Sequence, residues 1–233
     1  MPIRRLYVIC EGHTEAAFVN SVLVPHFGIC DGLQTIPLLL PNKLKSRSRM
    51  HKGGWLNYAI GRSYVEHILK EMHSEDVWVT TMLDLYAIPN NFPGLPAARA
   101  KPPLECVTAL ETAFANDVKT DRLWRFTPYL QLHEYEALLL VDIDAIGRTM
   151  REYAATGVPA LKGDIGALRP EEVDDGRSSA PSKRIIRHFP DYDGAKASAG
   201  PIIAADIGLD RLRVACPHFG RWLTTLETQI RRT

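Results

Sequence analysis

Cysteine is scarce in this chain and never paired in sequence. Cys10, Cys30, Cys106 and Cys216 stand far apart with no Cys-x-x-Cys spacing, and three of them sit in apolar surroundings. That excludes a zinc-ribbon pattern and favours buried free thiols over disulfides. Long apolar runs are missing too: no window approaches the ~20 residues of a membrane helix, and the first residues have no signal-like apolar segment. A cytoplasmic protein with no membrane partner is the expectation. Net charge is close to nil, 28 Lys and Arg against 27 Asp and Glu, so any grip on nucleic acid must come from local basic patches. No Gly-x-x-x-x-Gly-Lys-Ser/Thr is present, so the sequence carries no P-loop ATPase, and no repeat recurs at a fixed period. What remains is ordinary globular material, 45% hydrophobic over 233 residues, enough for one sizeable domain or a core with an appended lobe.

The organising stretch is Arg4 to Glu15. Tyr7-Val8-Ile9-Cys10 is short, β-branched and aromatic, as a buried parallel strand is, and it delivers Glu11 to the strand's carboxyl end. Gly12 is expected to permit a sharp reversal, and Thr14 to cap a helix from about Glu15 to Val24 with Phe18, Val19, Val22 and Leu23 on its apolar stripe. Glu15 then lies in the first turn, near the positive dipole end. Glu11 and Glu15 either converge on one cation or serve as a loop acid and a helix-start residue; spacing alone leaves both open.

A second strand is predicted over Thr35–Leu40. From Pro41 to Gly54 the chain changes character: Lys43, Lys45, Arg47, Arg49, His51 and Lys52 alternate with Ser and Gly, and no acid appears. Such a segment grips phosphate or is simply a solvated loop. A helix over about Trp55–His73 follows, then a strongly β-type strand, Val77–Leu83, that ends in Asp84. Apolar strands alternating with amphipathic helices predict an α/β fold whose mainly parallel sheet is flanked by helices, with ligands beyond the strands' carboxyl ends. Glu11 and Asp84 both fall at such ends. Ala87–Pro103 reads as a loop, Pro103–Asp117 as a helix, and Arg125–Leu132 as a fourth strand that again hands over to acids, Glu134 and Glu136. Past Asp142 the pattern is helical: Ile143–Ala155, a Gly/Pro/Asp-rich connection over Gly157–Ser179, a helix from Pro181 to about Phe189, a turn over Asp191–Lys196, and short helices across Pro201–Ile230. This divides the chain into a core over 1–141 and a helical C-terminal extension over 142–233 packed on it; pattern alone leaves one continuous domain as the alternative.

Glu11-Gly12-His13-Thr14-Glu15 after a hydrophobic strand resembles the first motif of the Toprim domain, in the version found in overcoming-lysogenization-defect nucleases and related defence proteins. Met82 to Tyr86 resembles the second acidic motif. His133 to Leu139, and Pro217-His218-Phe219 with Trp222-Leu223, resemble segments of a Toprim-like domain-of-unknown-function family, so the resemblance spans nearly the whole chain. It implies a Toprim-like (Rossmann-like) core and a nuclease dependent on Mg2+ or Mn2+ that acts on DNA or RNA, in phage defence beside an ATPase partner protein. It also implies catalytic or metal roles for Glu11 and Asp84, with Glu15 as a second acid and a lysine, Lys196 or Lys183, near the metal. Where Toprim proteins have Asp-x-Asp, this chain has Asp84-Leu85-Tyr86. A phenol is a poor magnesium ligand, so Glu134 or Glu136 would have to complete the shell.

Phosphodiester hydrolysis requires neutralised non-bridging oxygens, an activated water and a stabilised leaving oxygen, all of which a divalent ion supplies. The expected metal set is therefore Glu11, Glu15, Asp84, Glu134 and Glu136. The expected catalytic set is Glu11, Asp84 and Lys196, and the expected nucleic-acid contacts are Lys43, Lys45, Arg47, Arg49, Lys52 and Lys183. Plainer roles stand beside these: Glu134 or Glu136 as structural partners of a base such as Arg125, both lysines as solvated surface, and His13 as a solvent-facing loop residue. At the level of function, the alternatives are a non-catalytic nucleic-acid or partner-binding module, favoured by Tyr86, and a small-molecule phosphoryl-transfer enzyme.

Overall fold

The computed structural model of the chain describes residues 4–231 apart from 32, 42–56, 72–75, 175 and 177. Its centre is a parallel sheet in the order β2-β1-β3-β4, built from β1 (Arg4–Cys10), β2 (Gln34–Leu39), β3 (Asp76–Asp84) and β4 (Phe126–Thr127), with β5 (Leu130–Gln131) also paired to β3. Helices α1 (His13–Phe18), α2 (Val24–Asp31), α3 (Tyr58–Glu71), α4 (Leu95–Ala98) and α5 (Pro103–Asp117) accompany the strands. After them come α6 (Ile143–Thr149), α7 (Ala154–Ile165), α8 (Pro181–His188), α9 (Tyr192–Ile207), α10 (Leu209–Ala215) and α11 (Pro217–Arg231). This is the Rossmann-like α/β architecture that the strand and helix periodicities predict, with a helical C-terminal region. Among the described residues no helix is long and apolar enough to cross a membrane.

Strand alternation sorts β1 onto two faces. Leu6, Val8 and Cys10 pack with Phe18 and Leu23, and in the same cluster with Ile203, Phe219, Trp222 and Leu223. Tyr7 and Ile9 face the other way, onto Val65, Val107, Leu110 and Phe114. One sheet face is therefore covered jointly by α1, α2 and the C-terminal helices, and the other by α3 and α5. Residues from 142 onward share a continuous apolar cluster with the first strand.

Several local expectations are corrected. The helix after β1 begins at His13, so Gly12 is its N-cap and Thr14 lies inside it. Gly12 is extended (φ −145°), a conformation open to any residue. What its small size provides is room, because a Cβ there would lie 3.2 Å from Glu15 Oε2. The expected fourth strand is broken into β4 and β5 at Pro128, which lacks the N–H to continue the ladder. Hydroxyls of β3 cross the gap: Thr80 Oγ1 donates to Thr127 O at 2.6 Å, and Thr81 Oγ1 both donates to Tyr129 O and accepts from Tyr129 N at 2.8 Å. The expected loop at 157–179 instead opens with most of α7, and the expected turn at 191–196 is the start of α9. Pro159 and Pro201 within these helices, and their glycines, read as punctuation in sequence; packing against the apolar cluster overrides them.

Helix α9 passes close to α1 at Gly200, where a Cβ would lie 3.1 Å from Tyr135 Cε1 and 3.5 Å from Thr14 Cγ2 of α1. One turn earlier on the same helix sits Lys196, so this close approach sets where that lysine reaches. Overpacking at such a contact typically costs about 1–3 kcal/mol. Gly200→Val is expected to lower unfolding free energy by about that much, read as a shift in urea midpoint at constant slope.

A buried carboxylate cluster at the carboxyl edge of the sheet

Glu11 and Asp84 extend from neighbouring strands, since β1 and β3 pair in register from Arg4↔Asp76 to Cys10↔Met82. Glu11 N continues the ladder to Met82 O at 3.3 Å, and Glu11 Oε2 accepts the Asp84 N–H at 3.1 Å. Glu15 sits in the third helical position and reaches back to accept Gly12 N–H at 2.8 Å. From the other side, Glu134 and Glu136 enter on the turn after β5. Glu134 Oε1 accepts Ser182 N–H at the start of α8, and Glu136 Oε1 lies 3.3 Å from Lys196 Nζ and 3.5 Å from the Tyr192 hydroxyl. A backbone N–H thus pins Glu11, Glu15 and Glu134, and side chains of α9 hold Glu136.

Glu15, Asp84, Glu134 and Glu136 are buried. Removing carboxylates from water raises their pKa, and like charges nearby raise it further. Glu11 is pushed up to about 7, by burial first, with the Asp84 N–H opposing and Glu15 adding. Glu136 is likewise pushed up to about 7 by burial and by Glu134, against the pull of Lys196. Glu15 is raised by burial. Asp84 is held well above the usual carboxylate range by burial and by Glu15, Glu11, Glu136 and Glu134 together, and its Oδ1 is buried with no hydrogen-bond partner. Among the described residues Lys196 is the only ion-pair partner of these five acids. Cys10, beneath the cluster, is kept a neutral thiol by burial and Glu15, which removes it as nucleophile or soft ligand.

All five acids named from sequence meet at one edge, and Lys196 joins them from α9. Lys183 does not: it is exposed on α8. Arg125 pairs with Asp76 at 3.1 Å and not with Glu134 or Glu136, because it enters at the amino end of β3, opposite the cluster. Lys43, Lys45, Arg47, Arg49 and Lys52 lie outside the described residues. Three contributors escaped the sequence: the Ser182 N–H, Tyr192 and His133. His133 takes φ +62°, in the left-handed region, and its carbonyl accepts Tyr86 N–H at 3.3 Å. Only its place beside Glu134 could have drawn notice. Tyr86 itself is 56% exposed, and burial together with Asp84 raises its phenol, so it stays neutral.

The oxygen donors are of the hard type magnesium takes, which binds one or two carboxylates and keeps its waters. The orphaned Asp84 Oδ1 in a field of four other acids is what a cation would relieve. Among the described residues, however, no three His, Cys, Asp or Glu side chains close on a single ion as they stand.

An acid whose folded pKa lies above its unfolded value holds a proton that unfolding releases, so stability falls as pH rises between the two. For Glu11 and Glu136 that window runs from 4.5 to about 7. Without divalent metal, the protein should therefore lose Tm as pH rises through this range. Asp84→Asn should raise Tm by about 2–8 °C above it, on the scale of 1–2 kcal/mol for a chain of this size, and should weaken the pH dependence. Calorimetry of both proteins in chelator checks this; a lower Tm for Asp84→Asn at neutral pH would show that the cluster is a stabilising network.

A family model described as a domain of unknown function (DUF4276) matches residues 10–227. No curated protein and no solved structure matches the chain.

Proposed function

The chain belongs to the family described as a domain of unknown function, DUF4276, and for this member we propose a divalent-metal-dependent phosphodiesterase activity on nucleic acid, of Toprim type. The family description names no reaction, so the Toprim relationship rests on the motifs around Glu11 and Asp84. The observation that carries the reading is Asp84: a buried strand-end aspartate with an orphaned oxygen, surrounded by four acids and, among the described residues, by no cation of its own. Ordinary stability selects against such an arrangement, because burying a charge without a partner is costly. Strained charge of this kind gathers at functional sites.

Asp84 and Glu11 would hold a magnesium or manganese ion, with Glu15 on the first helical turn and Glu134 or Glu136 in place of the carboxylate that Tyr86 replaces. Bound there, the metal supplies charge neutralisation on the phosphate and an activated water. The chain's own residues do the rest. Gly12 N–H and Ser182 N–H fix the orientations of Glu15 and Glu134, so little reorganisation is needed when substrate arrives. Lys196, half-buried at 31% side-chain exposure, supplies a positive charge beside Glu136 for the phosphate or the leaving oxygen. Glu11, raised to about 7 in the metal-free protein, would give up its proton to take the metal, so metal uptake would release protons near neutral pH. The basic segment of Lys43 to Lys52 is proposed to contact backbone phosphates without reading sequence. An ATPase partner and a role in phage defence are proposed from the same resemblance.

A second reading is favoured by one observation: among the described residues no three ligands close on an ion in this arrangement. Together with Tyr86, this supports a non-catalytic module that binds nucleic acid or a protein partner.

The test is cleavage of plasmid and of structured RNA with magnesium or manganese, by the protein alone and with any ATPase encoded beside it. Asp84→Asn is expected to abolish cleavage and Glu11→Gln, Glu134→Gln or Glu136→Gln to lower it severely. Lys196→Met is expected to lower the rate by about 10²–10³, the usual effect of removing one preorganised electrostatic contact. If neither the parent nor any variant cleaves under either condition, the binding-module reading replaces the catalytic one.

A further inference from the structure

Beside the carboxylates, on the side that Tyr86 borders, the surface opens into a pocket of about 260 Å3 between the turn after β3 and the start of α5. Tyr86, Arg99, Lys101 and His133 are among its lining residues. Three features set it apart from ordinary surface. First, Arg99 and Lys101 are exposed, and neither makes an ion pair with a described residue, although Arg62, Arg148, Arg184, Arg187 and Arg213 all do. Their charges are available to a ligand. Second, Tyr86 is more than half exposed at a position two residues from Asp84. Third, His133 is the one non-glycine residue among those described with a positive φ, a conformation that costs energy and gathers at functional sites. It is held there by its own burial and by the Tyr86 N–H on its carbonyl.

The charge layout is directional. Acids occupy one side of Tyr86 and unpaired cations the other. An anionic polymer whose reacting phosphate meets the carboxylates must find attraction for its next phosphate away from them, and Arg99 and Lys101 are where that attraction lies. An aromatic face between the two suits a flat, unstacked ring, the recurrent way in which proteins hold single-stranded nucleic acid. The volume lies below the range of pockets that bury drug-sized ligands, which fits one nucleotide unit and not a dinucleotide cofactor.

We propose that this pocket is a nucleotide subsite that takes one unpaired nucleotide next to the phosphodiester at the carboxylates, stacking its base on Tyr86 and holding its phosphate with Arg99 and Lys101. The proposal rests on the phosphodiester reading of the acidic cluster, and it gives the residue that replaces the usual second acid a task of its own. His133 is a positioning residue here: its strained backbone fixes the height of Tyr86 through the hydrogen bond between them.

The experiment is fluorescence anisotropy with fluorescein-labelled oligothymidine and oligouridine, using the full chain in chelator so that binding is read apart from cleavage. Tyr86→Ala is expected to raise Kd by about 5- to 150-fold, the effect of losing one stacked base, while Tyr86→Phe, which keeps the ring, restores wild-type affinity. Arg99→Ala/Lys101→Ala should weaken binding to both oligonucleotides and reduce the slope of log K against log salt by about 0.7, the one single-strand phosphate that the pair holds. Lys119→Ala/Arg122→Ala, which removes two charges at the opposite edge of the sheet, should leave that slope unchanged. A blunt duplex of the same sequence should bind less tightly than the single strand.

Wild-type affinity in Tyr86→Ala and in Arg99→Ala/Lys101→Ala overturns the subsite, as does failure of the parent to bind either oligonucleotide. If those variants bind normally while Asp84→Asn abolishes cleavage, the acidic cluster keeps its role and the subsite alone is wrong. If they weaken binding as expected but no condition yields cleavage, the subsite stands and the catalytic reading falls.

Discussion

One hydrogen bond ties the working edge of this protein together: Glu11, leaving β1, accepts the backbone N–H of Asp84, leaving β3. It forces two acids from neighbouring strands into each other's field at a depth where water cannot screen them. Every other feature of the edge answers to that crowding. Backbone N–H groups hold Glu15 and Glu134, Lys196 comes down from α9 to Glu136, and Asp84 Oδ1 is left with nothing. An amide N–H orients a carboxyl group without supplying a countercharge, so burial and mutual repulsion favour the protonated form of these acids while each keeps a defined orientation. That is a poor way to build a stable edge.

The rest of the molecule supplies the platform. A parallel sheet buried on both faces aligns β1 and β3 so that their carboxyl ends arrive together, and two apolar clusters lock it from either side. The C-terminal helices are part of that clamp: Phe219, Trp222 and Leu223 pack in the cluster of Leu6 and Val8, and Trp222 Nε1 donates to Thr80 Oγ1 at 2.8 Å. Through α9 the same region contributes Lys196 and Tyr192 to the edge. The break at Pro128 serves this arrangement. It lets the chain turn away after β5 and bring Glu134 and Glu136 back, while Thr80 and Thr81 keep the severed strand attached.

Much of the site was readable before any coordinates. An apolar β-branched run followed by an acid marks a strand end wherever both faces are buried, so Glu11 and Asp84 could be placed on one edge from pattern alone. Glu134 and Glu136 followed by the same logic, although the strand before them is two short pieces. Where local reading failed, a small or kinking residue misled it. Pro159, Pro201 and their neighbouring glycines signal turns to any propensity argument, but here they sit within helices packed on the apolar cluster. Thr14 looked like a cap because its hydroxyl suits one, yet the helix starts two residues earlier than expected, at His13, and Glu15 takes the Gly12 N–H.

By itself the sequence determined the class of fold, the alternation of strands and helices, and the acids at the strand ends. Each of these is carried by spacing within a few consecutive residues, over which the backbone's periods of 2 and 3.6 hold. Only the tertiary structure decided that Lys196 meets Glu136, that Arg125 belongs to Asp76 instead, that Gly200 lets α9 approach α1, and that Arg99 and Lys101 face a pocket beside Tyr86. Arg125 and Asp76 are 49 positions apart in the chain. No local period relates them. They are set by how whole helices settle on the sheet to exclude water, and a contact of that kind exists only once the packing does.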